Sequence, residues 1–205
     1  MASAGRSGEH RSGSKFMTRE LIQEIETIVE QACAADTNIF GYGIWTHHIT
    51  RVAENAKVLA PLFEADPEIV EIAALLHDYA SVKDRNLYRE HHIHGPVEAE
   101  KILGRLGYPD KKTEAVKHAI AAHRASIRVE RRTPEAECLA NADAMTHIQN
   151  APSLLYLSWV QHDMGIEEGT AWVLAKLERS WGKLKPEVQE MVAIDYAAAR
   201  RILSE

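Results

Sequence analysis

The chain has 205 residues, 45% of them hydrophobic, with 30 acidic against 24 basic side chains and a formal net charge of -6. That length supports one substantial core, and the acidic balance speaks against a dedicated nucleic-acid surface, which needs a basic excess. Two cysteines, Cys33 and Cys138, form no CxxC pair and no disulfide framework, which fits buried thiols in a reducing, cytoplasmic setting. No apolar run is long enough for a membrane span.

Residues 1–16 are rich in Gly, Ser and Arg. They lack the apolar content to offset ordering entropy and read as a disordered tail or tag before a domain over 17–205. From Thr18 the residues Leu21, Ile22, Ile25, Ile28, Val29 and Ala32 repeat at three and four, the stripe of an amphipathic helix. Asp36 to Gly43 reads as a loop. A second helix follows from Thr46 to Phe63, with Ile49, Val52, Ala53, Ala56, Leu59 and Ala60 inward. Asp66-Pro67-Glu68 combines a capping aspartate, proline at the first helical position and acid in the first turn. The helix it opens ends at Ala74-Leu75-Leu76-His77-Asp78.

Ser81 to Ile93 is polar and aperiodic and reads as a long loop at an access edge. Gly95-Pro96 opens a helix to Leu106, and another runs from Lys111 to Arg124. Ala125 to Arg132 is a basic connector, and Thr133-Pro134-Glu135 repeats the cap, proline, acid start. Further helices are expected over Pro152–His162, Ile166–Trp181 and Pro186–Leu203. With no strand alternation and no internal repeat, the fold class is all-α, one domain of about eight or nine helices. The apolar helices after Pro152 can serve a core layer or a homo-oligomer face.

The eleven histidines cluster mid-chain, several beside apolar helical runs. His48 and Val52 lie four apart and share a face; His47 is turned about 100° away. His77 and Asp78 are adjacent at a helix end, where one ion just off the surface can meet both. Asp143, flanked by Ala142 and Ala144, reads as a buried carboxylate that needs a partner. His94 precedes a helix start, and His123 ends an apolar helix. Every one of these donors is nitrogen or oxygen, which favours Mn, Fe, Co, Ni or Mg over a structural zinc site. His147, four after Asp143, reads as a packed histidine, as do His92 and His118. Lys83, Arg85 and Arg124 are candidate phosphate contacts in an otherwise acidic chain. The four tryptophans read as packing residues.

The order His48-x-x-Arg51-Val52, Ala74-Leu75-Leu76-His77-Asp78 and Ala142-Asp143-Ala144 closely resembles the HD-domain metal-dependent phosphohydrolase superfamily, over about Ile44 to Ile148. The segments His91-His92-x-His94-Gly95 and Ile120-x-x-His123-Arg124 look like the extra histidines of its two-metal members. The resemblance implies an all-helical fold in which His48, His77, Asp78 and Asp143 hold one divalent metal. It implies a second metal, where present, on Asp78, His94 and His123, so that one or two ions serve the site. The expected function is hydrolysis of a phosphate ester or anhydride by metal-activated water. The substrate is expected to be a nucleotide or other small phosphorylated molecule, with Asp78, His94 and His123 in catalytic roles. Two alternatives stay open: an HD-type di-iron oxygenase on the same ligands, and a non-catalytic, metal-binding regulatory module.

Overall fold

The computed structural model describes the backbone of residues 9–124 and 129–204 and the side chains from Thr18 onward within those ranges. Among the described residues there is no strand; ten α-helices are joined by short 3-10 and π turns. They are α1 (Glu9–Ala34), α2 (Thr50–Phe63), α3 (Pro67–Leu76), α4 (Tyr79–Lys83), α5 (His91–Arg105), α6 (Asp110–Ala122), α7 (Pro134–Gln149), α8 (Ala151–Tyr156), α9 (Ile166–Lys183) and α10 (Pro186–Leu203). Residues 1–8 of the expected tail lie outside the described residues, and 9–16 are continuous with α1. No helix is long and apolar enough to cross a membrane.

The helix starts follow their caps. The Asp66 carboxylate accepts from the Glu68 amide at 2.9 Å, and the Thr133 hydroxyl accepts from the Ala136 amide at 3.3 Å, each ahead of a proline at the first helical position. These bonds satisfy amide groups that a helix leaves without internal partners.

At the centre lies α7, packed against α2, α3, α6, α9 and α10. Residues Cys138 to Thr146 are all buried, so this helix has no solvent face over two turns. A helix buried all round cannot show an amphipathic stripe. Its alanines 136, 140, 142 and 144 allow the neighbouring backbones to come close. Polar ties set the register: the Asn55 amide donates to the Thr146 hydroxyl and the Gln149 side-chain oxygen, both at 2.8 Å. The buried Asn141 accepts from the Lys185 amide at 2.8 Å, anchoring the start of α10.

Three elements depart from expectation. The segment Ser81–Ile93 is not a loop: α4 is followed by a 3-10 turn over Arg85–Glu90, and α5 begins at His91, four residues before the expected Gly95. Its polarity reflects exposure on a helical surface. The second helix is entered through a π turn over Trp45–Ile49, in which the Thr50 amide bonds the Trp45 carbonyl. A second π turn, Leu157–Gln161, follows α8. Single π turns of this kind shift the helical phase and often accompany functional sites.

Candidate metal centre

Five segments converge on one buried spot. His48 arrives from the first π turn, His77 from the cap that ends α3 and Asp78 from the junction with α4. His91 comes from the first residue of α5, His123 from the end of α6, and Asp143 and His147 from the central α7. His48 is half-buried while His47 faces solvent, as the shared face with Val52 predicted.

Asp78 is the hub. Its Oδ2 lies 3.3 Å from His48 Nε2 and 3.4 Å from His77 Nε2. Its Oδ1 lies 3.5 Å from His91 Nε2 and 4.0 Å from His123 Nε2. His48 Nε2 is also 3.1 Å from His77 Nε2 and 3.7 Å from Asp143 Oδ1. On its other side Asp143 Oδ1 faces His147 Nε2 at 3.4 Å, and the His147 ring stacks on that of His48 at 5.3 Å.

The rings are aimed by short bonds. The Nδ1 atoms of His77, His91 and His123 face the carbonyls of Ala74, Tyr88 and Ile120 at 2.7, 2.7 and 2.6 Å. A nitrogen opposite a carbonyl must donate, so each Nδ1 carries a proton and each Nε2 is the atom turned toward the shared spot. That arrangement is characteristic of metal-binding histidines.

The electrostatics suit a site for a cation. Burial alone would push the Asp78 carboxyl up, but the charge of His77 and hydrogen bonds from His48 and His77 hold it well below the usual range. Asp143 behaves likewise, with His147 and Lys183 outweighing burial. Burial disfavours a charged His77, yet Asp78, with help from Asp143, raises that imidazole to about 9. Burial and the neighbouring His77 push His123 down to about 3. The metal-free chain therefore keeps a proton on His77 where a cation can stand, while His123 stays neutral. Among the described residues three groups have ligand atoms within 4.8 Å of one another: His48–His77–Asp78, His48–Asp143–His147 and Asp78–His91–His123. The donors are imidazole and carboxylate only, a set suited to first-row divalent ions.

One expected ligand stands elsewhere. His94 Nε2 is directed at Glu90, 3.8 Å away, and its side chain is 39% exposed. His91 occupies the position beside Asp78. The reason lies in the face of α5. Gly95 is buried, and a Cβ there would stand 2.9 Å from the Ile120 side chain and 3.5 Å from the His77 carbonyl. The Gly95 face is therefore the inward one; His91, one turn before it, shares that face, and His94 is rotated about 100° off it. The same face continues through Ala99 and Ile102, both buried.

The centre forms the floor of a cavity of about 790 Å³. Arg124 lines it, held through a 2.6 Å bond to the Arg89 carbonyl. The other two expected phosphate contacts do not reach it. Lys83 is exposed and pairs with Glu98 at 2.7 Å, and Arg85 is exposed on the 3-10 turn, because α4 carries both away from the floor. The cationic wall comes instead from α9, where Trp172, Lys176, Arg179 and Lys183 lie at intervals of four, three and four and all line the cavity. Burial lowers Lys176 against the upward pull of Asp143 and Asp78. That spacing is visible in the sequence as a polar stripe with one tryptophan, a pattern that on most helices means a solvated face.

The segment Trp45 to His147 matches the model of the HD domain, residues 45–147. The chain belongs to the HD domain family. Its fold is similar to that of Bacillus subtilis YpgQ, with a TM-score of 0.70 at 21% identity over 92% of this chain and 94% of that one. YpgQ in complex with ADP gives a TM-score of 0.67 at 21% identity, over 88% and 90% of the two chains. A protein described as a predicted HD superfamily hydrolase from an uncultured Thermotogales bacterium gives 0.52 at 24% identity, over 83% and 91%. No curated protein matches the chain at a significant level. Both α9 and α10 lie beyond the segment that the family model matches.

Proposed function

We propose that this HD-family protein is a metal-dependent phosphohydrolase that cleaves a phosphate ester or anhydride of a nucleotide or similar small molecule. The observation that carries the reading is the division of Asp78. One oxygen faces His48 and His77, the other faces His91 and His123, at the floor of an open, cation-lined cavity. His48, His77, Asp78 and Asp143 would hold one divalent ion, and Asp78, His91 and His123 a second. When bound, such an ion acidifies a coordinated water and draws charge from a phosphoryl oxygen.

The chain's own groups supply the rest. Arg124, Lys176 and Arg179 line the cavity above the centre and offer positive charge to phosphate oxygens in a partly desolvated space. Trp172 and Tyr88 line the same cavity and offer flat surfaces for a ring. The ADP complex of YpgQ, a protein of similar fold, lends support to a nucleotide as the occupant. His123, kept neutral, has an Nε2 lone pair free to bind an ion.

The test is metal analysis of protein purified without added metal, followed by phosphate and pyrophosphate release from phosphomonoesters, diesters and nucleotides with Mn or Mg added. Metal-dependent release that disappears in Asp78→Asn supports the proposal. No release from any member of the panel, with unchanged metal content in His77→Ala and Asp78→Ala, refutes it in favour of a non-catalytic module. The divided carboxylate would also suit a pair of redox irons; iron retained on purification together with oxygen uptake would favour that second reading.

A further inference from the structure

Lys183 is the last residue of α9 and lies outside the HD-matched segment. Its side chain is only 4% exposed. The ammonium donates to Asp143 Oδ2 at 2.9 Å and to the backbone carbonyl of His123, also at 2.9 Å. These partners come from different helices and from the two halves of the candidate centre: Asp143 would serve the first ion and His123 the second. The His123 carbonyl stands at the C-terminal end of α6, where carbonyl groups lack intrahelical partners and the helix dipole favours a cation.

A buried lysine is expensive unless its protons are used. Here two of them are used on groups that set the ligand geometry. The bond to Oδ2 removes one Asp143 oxygen from competition and leaves Oδ1 facing His48 and His147. The bond to the His123 carbonyl fixes the end of the helix whose last side chain faces Asp78. We propose that Lys183 is a positioning residue: it holds Asp143 as a ligand through a single oxygen and ties that ligand to the His123 arm, so that ion affinity depends on α9. The inference rests on the reading of Asp143 as a metal ligand.

The partners of a metal ligand typically govern affinity by about 10–100-fold. The experiment is a Mn²⁺ titration by calorimetry on full-length wild type, Lys183→Met, Lys183→Arg, Asp143→Asn and the Asp143→Asn/Lys183→Met double variant. Thermal melts of each metal-free protein run alongside. The expected result is at least a tenfold loss of affinity in K183M, partial recovery in K183R, and a smaller further loss when K183M is added to D143N than K183M causes alone. A merely structural lysine would instead lower the metal-free melting temperature and add its effect to that of D143N. Wild-type affinity in K183M, or full additivity with D143N, overturns the inference while leaving the proposed function standing. Should K183M fail to fold, K183R carries the test: its guanidinium keeps the charge but not the length, so wild-type affinity in K183R overturns the positioning role and a measurable loss supports it. An Asp143→Asn protein with unchanged affinity removes the ligand reading itself, and this inference with it.

Discussion

Metal binding should release a proton from His77. In the metal-free chain its imidazole, against the penalty of burial, is raised to about 9 by Asp78 and Asp143. An ion held by the same nitrogen must displace the proton that Asp78 now stabilises. The sign is fixed: apparent affinity rises with pH up to about 9 and levels above it. pH 7 lies roughly two units below that value, so competition from the proton weakens binding there by about a hundredfold. His123, pushed down to about 3 by burial and the neighbouring His77, brings no proton of its own at this pH. The assay is Mn²⁺ calorimetry at pH 7.5 in two buffers of different ionisation enthalpy, repeated at half-unit steps to pH 9.5. The expected outcome is close to one proton released per ion at the lower end, falling to about a quarter at the upper. A flat affinity across that range, with no buffer dependence of the heat, would refute the reasoning and with it the idea that His77 and the ion share a place.

The exchange of roles within the histidine cluster predicts opposite outcomes for two neighbours: His91→Ala should cost about tenfold or more in ion affinity or activity, and His94→Ala should stay within about twofold, as surface changes do. Gly95→Ala places a methyl against Ile120 and should destabilise by about 1–3 kcal/mol, as overpacking does, a shift that a thermal melt will read. Lys176→Ala should raise KM for the phosphorylated substrate more than it lowers kcat; an unchanged KM would remove Lys176 from substrate binding. Stability of the metal-free protein should also follow pH in two ways. The contribution of His77, whose folded value is raised, is present below its unfolded value and lost as pH climbs toward 9, so His77→Gln should flatten the alkaline side of the melting profile. The contributions of Asp78 and Asp143, whose folded values are lowered, are lost only as pH falls through those low values.

Much of this was legible in the chain because the signals were local. The caps at Asp66 and Thr133, the Pro186 helix start and the stripe that turned His48 inward all depend on residues within one or two turns. The His77-Asp78 pair and the alanine-flanked Asp143 likewise announced themselves by what stood beside them. The resemblance points to His94 for the second ion; the Ala99 and Ile102 face, followed back by helical turns, leads to Gly95 and then to His91. Other features had no local signal. The π turn before α2 depends on how the loop meets the core. Lys83 and Arg85 were carried off the floor by α4, a helix too short to read from its polar sequence. The cations of α9 look like a solvated face until the fold sets them opposite α7.

The three short Nδ1 bonds have a further consequence. Each ring is fastened to a carbonyl three residues earlier in its own segment, so its rotamer is held by a contact that needs no other helix. The rotational entropy of those side chains is thus surrendered during folding, and an incoming ion meets rings that need not search. What remains variable is where the segments dock. A change such as Gly95→Ala should therefore displace a correctly oriented His91 as a rigid unit and leave its bond to Tyr88 intact. The affinity of the centre then becomes a gauge of helix spacing, and nuclear magnetic resonance of the His91 ring would read displacement and disorder as different signals.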